Sequence, residues 1–348
     1  MASLKVMTFN VRIDGPQTDS LPPVESATQT LGGEQRWALR KWKVADTVLT
    51  FEPDIVGFQE PYHKQVLELA DLLKSEYAWI GCGREDGKEA GEYAPIFYKR
   101  NVVEVVSNKT IWLSKTPDQP GSKDWDANQT RIATFALFKV KGTEGKKFQF
   151  INTHFDNSGA TARRESAIIL IKELASIFDP VVLVGDLNSP EDDGAYRELT
   201  CGRYIKKEHD TASRLIKLND NQGVEAAKQA AAPVRTADGH ISLPTHIQFR
   251  RGKLDPAHLK PLNERHGFED ARYELESRLD GYQGLSGPYG HYLTFTGFGN
   301  SGEDPPSRLD YILLANNVKA TRYAVLENKY EDGLLISDHR PVMATVKF

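Results

Sequence analysis

The sequence predicts an α/β fold in which two mixed β-sheets pack face to face with helices outside. Three observations carry it. Strand and helix patterns alternate through the first half, the same alternation restarts near Phe148, and each round carries strand signals beyond one strand–helix–strand unit. No Pro/Ser-rich linker separates the rounds, so residues 1–348 read as a single domain with two halves.

In order, LKVMTFNV (4–11) alternates as a strand, and RWALRKWKVADTVLTF (36–51) has the period of an amphipathic helix. DIVGFQE (54–60) is a second buried strand, and HKQVLELADLLKSE (63–76) a second helix. Shorter strand signals follow in YAWIGCG, APIFYK, VVEVVSNKTIWL and RIATFALFKV, the last ending near the KGTEGKK turn. FQFINTHF (148–155) opens the second round. ATARRESAIILIKELASIF (160–178) reads as a helix, VVLVGDLN (181–188) as a strand buried on both faces, and YRELT as a short helix. The chain closes on RLDYILL, a stretch from Thr321 to Leu326, and HRPVMATVKF. Residues 203–265 differ: polar and rich in Ala, Lys, Asp and Pro, they read as a surface insertion with one helix.

Composition narrows the class. Apolar content of 39% and charged content of 26% describe an ordinary globular protein, with no stretch near the ~18 apolar residues of a membrane span. The strand pattern beginning at Leu4 leaves no room for a signal peptide, and Cys82 and Cys201 make no disulfide framework. A cytoplasmic protein with no membrane partner is expected. The net charge of −4, from 44 Lys+Arg against 48 Asp+Glu, lacks the basic excess of proteins that grip long nucleic acid. A local basic patch stays open.

Polar residues interrupt or end the apolar strands at Asn10, Glu60, His154, Asp186, Asn188, Asp310, Asp338 and His339, and Glu92 sits in GEYAPIFY. Each has a plain alternative. Asn10 satisfies a backbone group, Glu60 caps the next helix, His154 is a hydrogen-bonded core histidine, and Asp186 starts an Asx turn before Pro190. Together they suit one metal and one anionic substrate, because unpaired polar groups at buried strand ends cost several kcal/mol each (~2–7). Oxygen ligands such as Glu60 and Asp338 suit a hard cation like Mg²⁺, while the absence of CxxC and HExxH argues against zinc. No P-loop and no GxSxG motif is present.

The order TFNV, GFQE, NTHF, VVLVGDLN, RLDYILL, SDHRPV resembles the endonuclease/exonuclease/phosphatase superfamily from residue 8 to residue 343. The resemblance implies a four-layer αββα sandwich. It implies a metal-dependent phosphoric ester hydrolase with Glu60 as principal Mg²⁺ ligand, Mn²⁺ as a possible substitute, and Asn10 and Asp338 close to the metal or its waters. Asp186 would orient or deprotonate the attacking water, Asn188 would bind a phosphate oxygen, and His339 would contact the scissile phosphate, positioned by Asp310. His154 would support the leaving group with Glu92 as its carboxylate partner. Since every one of these positions is filled, a catalytically dead scaffold is disfavoured.

RWALR, GCGREDGKEAGEYAPIFY, THFDNSGATARRESA and TFTGFGN are similar to a branch often regarded as small-molecule or sugar-phosphate phosphatases. The function expected is therefore hydrolysis of a small, sugar-like phosphate monoester by a monomer. A nuclease or other phosphodiesterase is the alternative. Arg36, Arg40, Arg131 and Arg163 are candidates to clamp the substrate, with surface ion pairs as the alternative for each. Trp37, Trp125 and Phe298 are candidate stacking faces, and Trp42 at helical spacing reads as core.

Overall fold

The computed structural model describes residues 2–14, 31–202, 234–235, 241–242, 267–275, 288–299 and 305–348. The insertion expected at 203–265 lies outside the described residues, apart from the short antiparallel pair β9 (Val234–Arg235) and β10 (Ile241–Ser242).

The first sheet contains β1 (Ser3–Asn10), β2 (Ile55–Gln59), β3 (Tyr77–Ile80), β4 (Ile96–Lys99), β12 (Tyr289–Gly290), β14 (Lys319–Val325) and β15 (Val342–Lys347), in the order β12-β14-β15-β1-β2-β4-β3. The second contains β5 (Val103–Trp112), β6 (Ile132–Val140), β7 (Lys147–His154), β8 (Val181–Asp186), β11 (Glu269–Asp270) and β13 (Asp310–Ala315), in the order β11-β13-β8-β7-β6-β5. Each sheet has at its centre a parallel pair joined through a helix, and the first sheet has a second parallel pair, β12 with β14, at its edge. β1 runs beside β2 through α1 (Trp37–Phe51), and β7 beside β8 through α3 (Ala160–Leu174).

The double-sided burial of these strands follows from the layers. Along β1, Leu4 and Val6 face the other sheet, while Met7 and Phe9 face the helices α1 and α2 (His63–Leu73). Along β8, Val182 and Val184 face inward, while Val181 and Leu183 meet α3 and α4 (Gly194–Leu199). Four layers result, αββα, as expected.

The sheets approach closely behind the polar strand ends. A Cβ at Gly57 would lie 2.6 Å from Val184 Cγ2 and 2.7 Å from the Asn152 carboxamide, so only glycine fits there. Beside it, Gln59 Nε2 donates to Asn152 Oδ1 (2.6 Å), and Asn152 Nδ2 donates to the carbonyls of Phe58 (2.7 Å) and Pro95 (2.9 Å). This buried amide ladder satisfies its own polar groups and fixes one sheet against the other.

Three expectations need correction. Trp42 is not core: it is 59% exposed, because five residues from buried Trp37 is roughly 140° around a helix. Trp37 is buried, its indole nitrogen donating to Glu68 Oε2 (2.7 Å), and offers no stacking face. The helix expected to reach Phe178 ends at Leu174, where backbone bonds shorten to Ser176 N→Glu173 O and Ile177 N→Leu174 O, leaving Phe178 exposed.

Candidate active site

Topology explains why the polar residues cluster. The parallel pairs bring the C-terminal ends of β1, β2, β7 and β8 to one edge, and the antiparallel neighbours β13 and β15 begin there. Asp186 is therefore registered against His154 on one side and Asp310 on the other. Asp338 and His339 arrive just before β15, and Glu60 just after β2.

Asp186 is the hub. Its Oδ1 accepts from the Asn188 amide (2.8 Å), so the Asx turn is real, and Asn188 sits at a positive φ of 45°. Its Oδ2 accepts from Asn10 Nδ2 (2.9 Å) and lies 3.5 Å from His339 Nε2 and 3.6 Å from His154 Nε2. Asn10 Nδ2 also donates to Glu60 Oε1 (2.8 Å), so one amide ties the two sheets' tips together. Asn188 Nδ2 donates to the Phe155 carbonyl and lies 3.0 Å from His154 Nε2.

His339 Nδ1 lies 2.8 Å from Asp310 Oδ2, and the Asp310 backbone amide donates to Thr294 Oγ1 (3.0 Å). Burial opposes a charge on His339, but Asp310 and then Asp186 outweigh it and hold the imidazole pKa well above its usual value. Burial also raises Asp186 and Asp338; the neighbouring Asp310 adds to the first and Glu60 to the second. Glu60 goes the other way. Burial works against its charge, yet His154, Arg12 and the Asn10 hydrogen bond pull its carboxyl down to about 2.

The donor set fits a hard divalent cation. Ligand atoms of Glu60, His154 and Asp186 lie within 4.8 Å of one another, as do those of Asp186, Asp310 and His339, and among the described residues Asp310 Oδ1 is buried with no hydrogen-bond partner. Clustered carboxylate oxygens are what such an ion binds. Asp338 stands outside both groupings and faces Glu60 across Arg12. Asn10 Oδ1 accepts from the Arg12 backbone amide (2.9 Å), while its NH₂ faces the Glu60 and Asp186 carboxylates.

Glu92 is near His154 without being its closest partner. Arg131 Nη1 donates to His154 Nδ1 (2.8 Å), whereas Glu92 Oε2 lies 3.6 Å away and accepts from Arg84 Nη1 (2.6 Å). Arg131 is thus the one candidate arginine that the fold brings against a site imidazole. Arg40 is fully buried, its nitrogens donating to the carbonyls of Gln35, Val11 and Ile336, and burial pushes its pKa down to about 10. It closes carbonyls rather than clamping substrate. Arg163 is engaged by Asp193 Oδ2 (2.8 Å) and the Asp156 carbonyl, and Arg36 is an exposed residue at the start of α1. Trp125 is half-buried with its ring 5.6 Å from Lys115 Nζ, and Phe298 is buried at 5% exposure with Arg40 5.9 Å from its ring. Phe298 therefore offers no free stacking face.

Sequence reasoning missed Arg12, Arg84, Ser337 and Thr294. Ser337 Oγ donates to the Asn10 carbonyl (2.6 Å), joining the Asp338 loop to β1. Arg12 had one signal, its place two residues after Asn10. Arg84 and Ser337 also had a local signal, standing near Glu92 and directly before Asp338, whereas Thr294 lies in a loop sixteen residues from Asp310.

A family model for the Endonuclease/Exonuclease/phosphatase family matches residues 7–339, so the chain belongs to that family and is a metal-dependent hydrolase acting on phosphoesters. Among solved structures, an endonuclease/exonuclease/phosphatase from Bacteroides vulgatus is 28% identical over 100% of both chains, with a TM-score of 0.70. A mannosyl-6-phosphatase from Bacteroides thetaiotaomicron is 24% identical over 99% of this chain and 100% of that one, with a TM-score of 0.67. D. rerio TDP2 complexed with a single-strand DNA product shares the fold at 14% identity over 100% of both chains, with a TM-score of 0.56. No curated protein matches the chain. Among the described residues, no helix is long and apolar enough to cross a membrane.

Proposed function

We propose that the protein is a Mg²⁺-dependent phosphomonoesterase that hydrolyses a small, sugar-like phosphate by direct attack of an activated water. The observation that supports it most is that Asp186 joins two sets of potential ligands, Glu60 and His154 on one side and Asp310 and His339 on the other. Glu60 and Asp338 hold the cation, for which Mn²⁺ can substitute. When bound, a divalent cation supplies Lewis-acid stabilisation of phosphoryl oxygens.

Asp186 takes the proton of the attacking water, a role favoured by the burial that raises its pKa above the ordinary carboxylate value. His339, kept charged by Asp310, hydrogen-bonds a phosphoryl oxygen as its negative charge grows, and Asn188 donates to another. His154, with Arg131 and Glu92 behind it, faces the leaving oxygen. No enzyme-bound covalent intermediate is needed. The acidic balance of −4 favours a small substrate over long nucleic acid, and the monosaccharide phosphatase of similar fold agrees with that choice. A monomer in the cytoplasm, with no membrane partner, completes the proposal.

The test is a phosphate-release screen with Mg²⁺ across sugar phosphates, nucleotides, inositol phosphates and oligonucleotides, run beside Glu60→Ala. Sugar phosphates are expected to turn over fastest, and Glu60→Ala to lose the Mg²⁺-dependent rate. Faster turnover of oligonucleotides, steeply reduced by salt, would make the protein a nuclease instead.

A further inference from the structure

Arg12 stands at the rim of the acidic seat with its two ends held in opposite ways. Its backbone is fixed: the amide donates to Asn10 Oδ1 (2.9 Å), the carbonyl accepts from Gln65 Nε2 (3.0 Å), and the next amide, of Ile13, donates to Glu60 Oε2 (3.1 Å). The φ of 62° is left-handed, a costly conformation for a residue with a Cβ, and these bonds impose it. The guanidinium is held loosely. It donates to Glu34 Oε1 (3.2 Å), lies 3.9 Å from both Glu60 Oε2 and Asp338 Oδ2, beyond hydrogen-bond reach, and is 30% exposed. Arg40, whose head is buried on backbone carbonyls, shows the contrasting arrangement of a strut.

We propose that Arg12 is the resident counter-ion of the Glu60–Asp338 seat and, once a divalent cation takes that seat, the arm that grips a phosphoryl oxygen of the substrate. The inference rests on the proposed reading of Glu60 and Asp338 as the cation's holders. A guanidinium beside both carboxylates repels an arriving cation at short range. Released from them, its planar donor fork matches a phosphate, and Glu34 keeps the head at the rim.

The experiment titrates the full chain with Mn²⁺, and then with inorganic phosphate at saturating Mn²⁺, by calorimetry. Wild type, Arg12→Met and Arg12→Lys are compared. Arg12→Met is expected to bind Mn²⁺ about fivefold more tightly and phosphate about tenfold more weakly. Arg12→Lys keeps the charge, so its Mn²⁺ affinity stays within about twofold of wild type while phosphate still weakens. Unchanged or weaker Mn²⁺ binding in Arg12→Met overturns the proposal, and so does unchanged phosphate binding in either variant. Should Arg12→Met not fold, the phosphate titration of Arg12→Lys decides alone. A wild type that takes up no Mn²⁺ would sink the metal reading itself, a different result from either.

Discussion

Arg308 and Asp310 are two residues apart and both fully enclosed, yet they belong to clusters of opposite character. Around Arg308 the carboxylate oxygens are all filled by the chain, although Arg308 Nε itself is buried without a hydrogen-bond partner among the described residues. Its Nη1 and Nη2 donate to the two oxygens of Asp270 (2.8 and 2.9 Å), Nη1 also reaches Glu191, and Tyr196, Tyr273 and Tyr292 fill the remaining acceptors of the two carboxylates. Around Asp310 the cluster stays open: one carboxylate oxygen has no partner among the described residues, and Asp186 links Asp310 and His339 to Glu60 and His154. Burial alone does not separate structure from function. What separates them is whether the acceptors are filled by the chain or left for something that arrives.

Breaking each cluster at its cation should give opposite phenotypes. His339→Ala removes a donor aimed at charge that grows in the transition state, so turnover should fall about 10³-fold while circular dichroism stays native. A loss confined to KM would remove His339 from that role. Arg308→Met strands two buried carboxylates and should cost about 3–5 kcal/mol in urea unfolding. A variant as stable as wild type would mean that the Asp270–Glu191 knot does not hold the fold.

Acid titration sharpens the same comparison with a smaller effect. Burial opposes the Asp270 charge, but Arg308 and the Tyr196 hydroxyl outweigh it and hold the folded pKa below the usual 3.8. A carboxyl depressed in the folded state stabilises above the unfolded pKa and loses that contribution as pH falls through the folded one. Asp270→Asn should therefore lag wild-type stability at pH 6 and recover towards it below about pH 4, by about 1.4 kcal/mol per unit of depression. A gap constant with pH would contradict the assignment.

Much of this was legible before any coordinates. The run PVVLVGDLN marks a strand buried on both faces by its β-branched residues alone, and β8 spans Val181–Asp186 as that pattern requires. The polar strand ends were equally readable, because Asn10, Glu60, His154 and Asp186 together stand where apolar runs stop, more often than single turns account for. Arginines were not readable. Arg40 and Arg131 look alike in sequence, yet one caps carbonyls of Val11 and Ile336 and the other donates to His154. Trp42 failed for a related reason, since helical spacing alone did not say that its angle, between Lys41 and Lys43, turns it outward.

The sequence by itself determined the α/β class, the order of the strands and helices, and the set of polar groups at their ends, because periodicity and residue chemistry are local properties. Only the tertiary structure decided which of those groups meet. Asn10 and Asp186 are 176 residues apart and are joined at 2.9 Å by two sheets that Gly57 lets pack closely. It also decided that Asn10 faces the carboxylates with its NH₂, that Arg131 stands closer to His154 than Glu92 does, and that Arg12 rests beside Glu60 and Asp338. Those are questions of long-range distance and direction, and no local pattern encodes them.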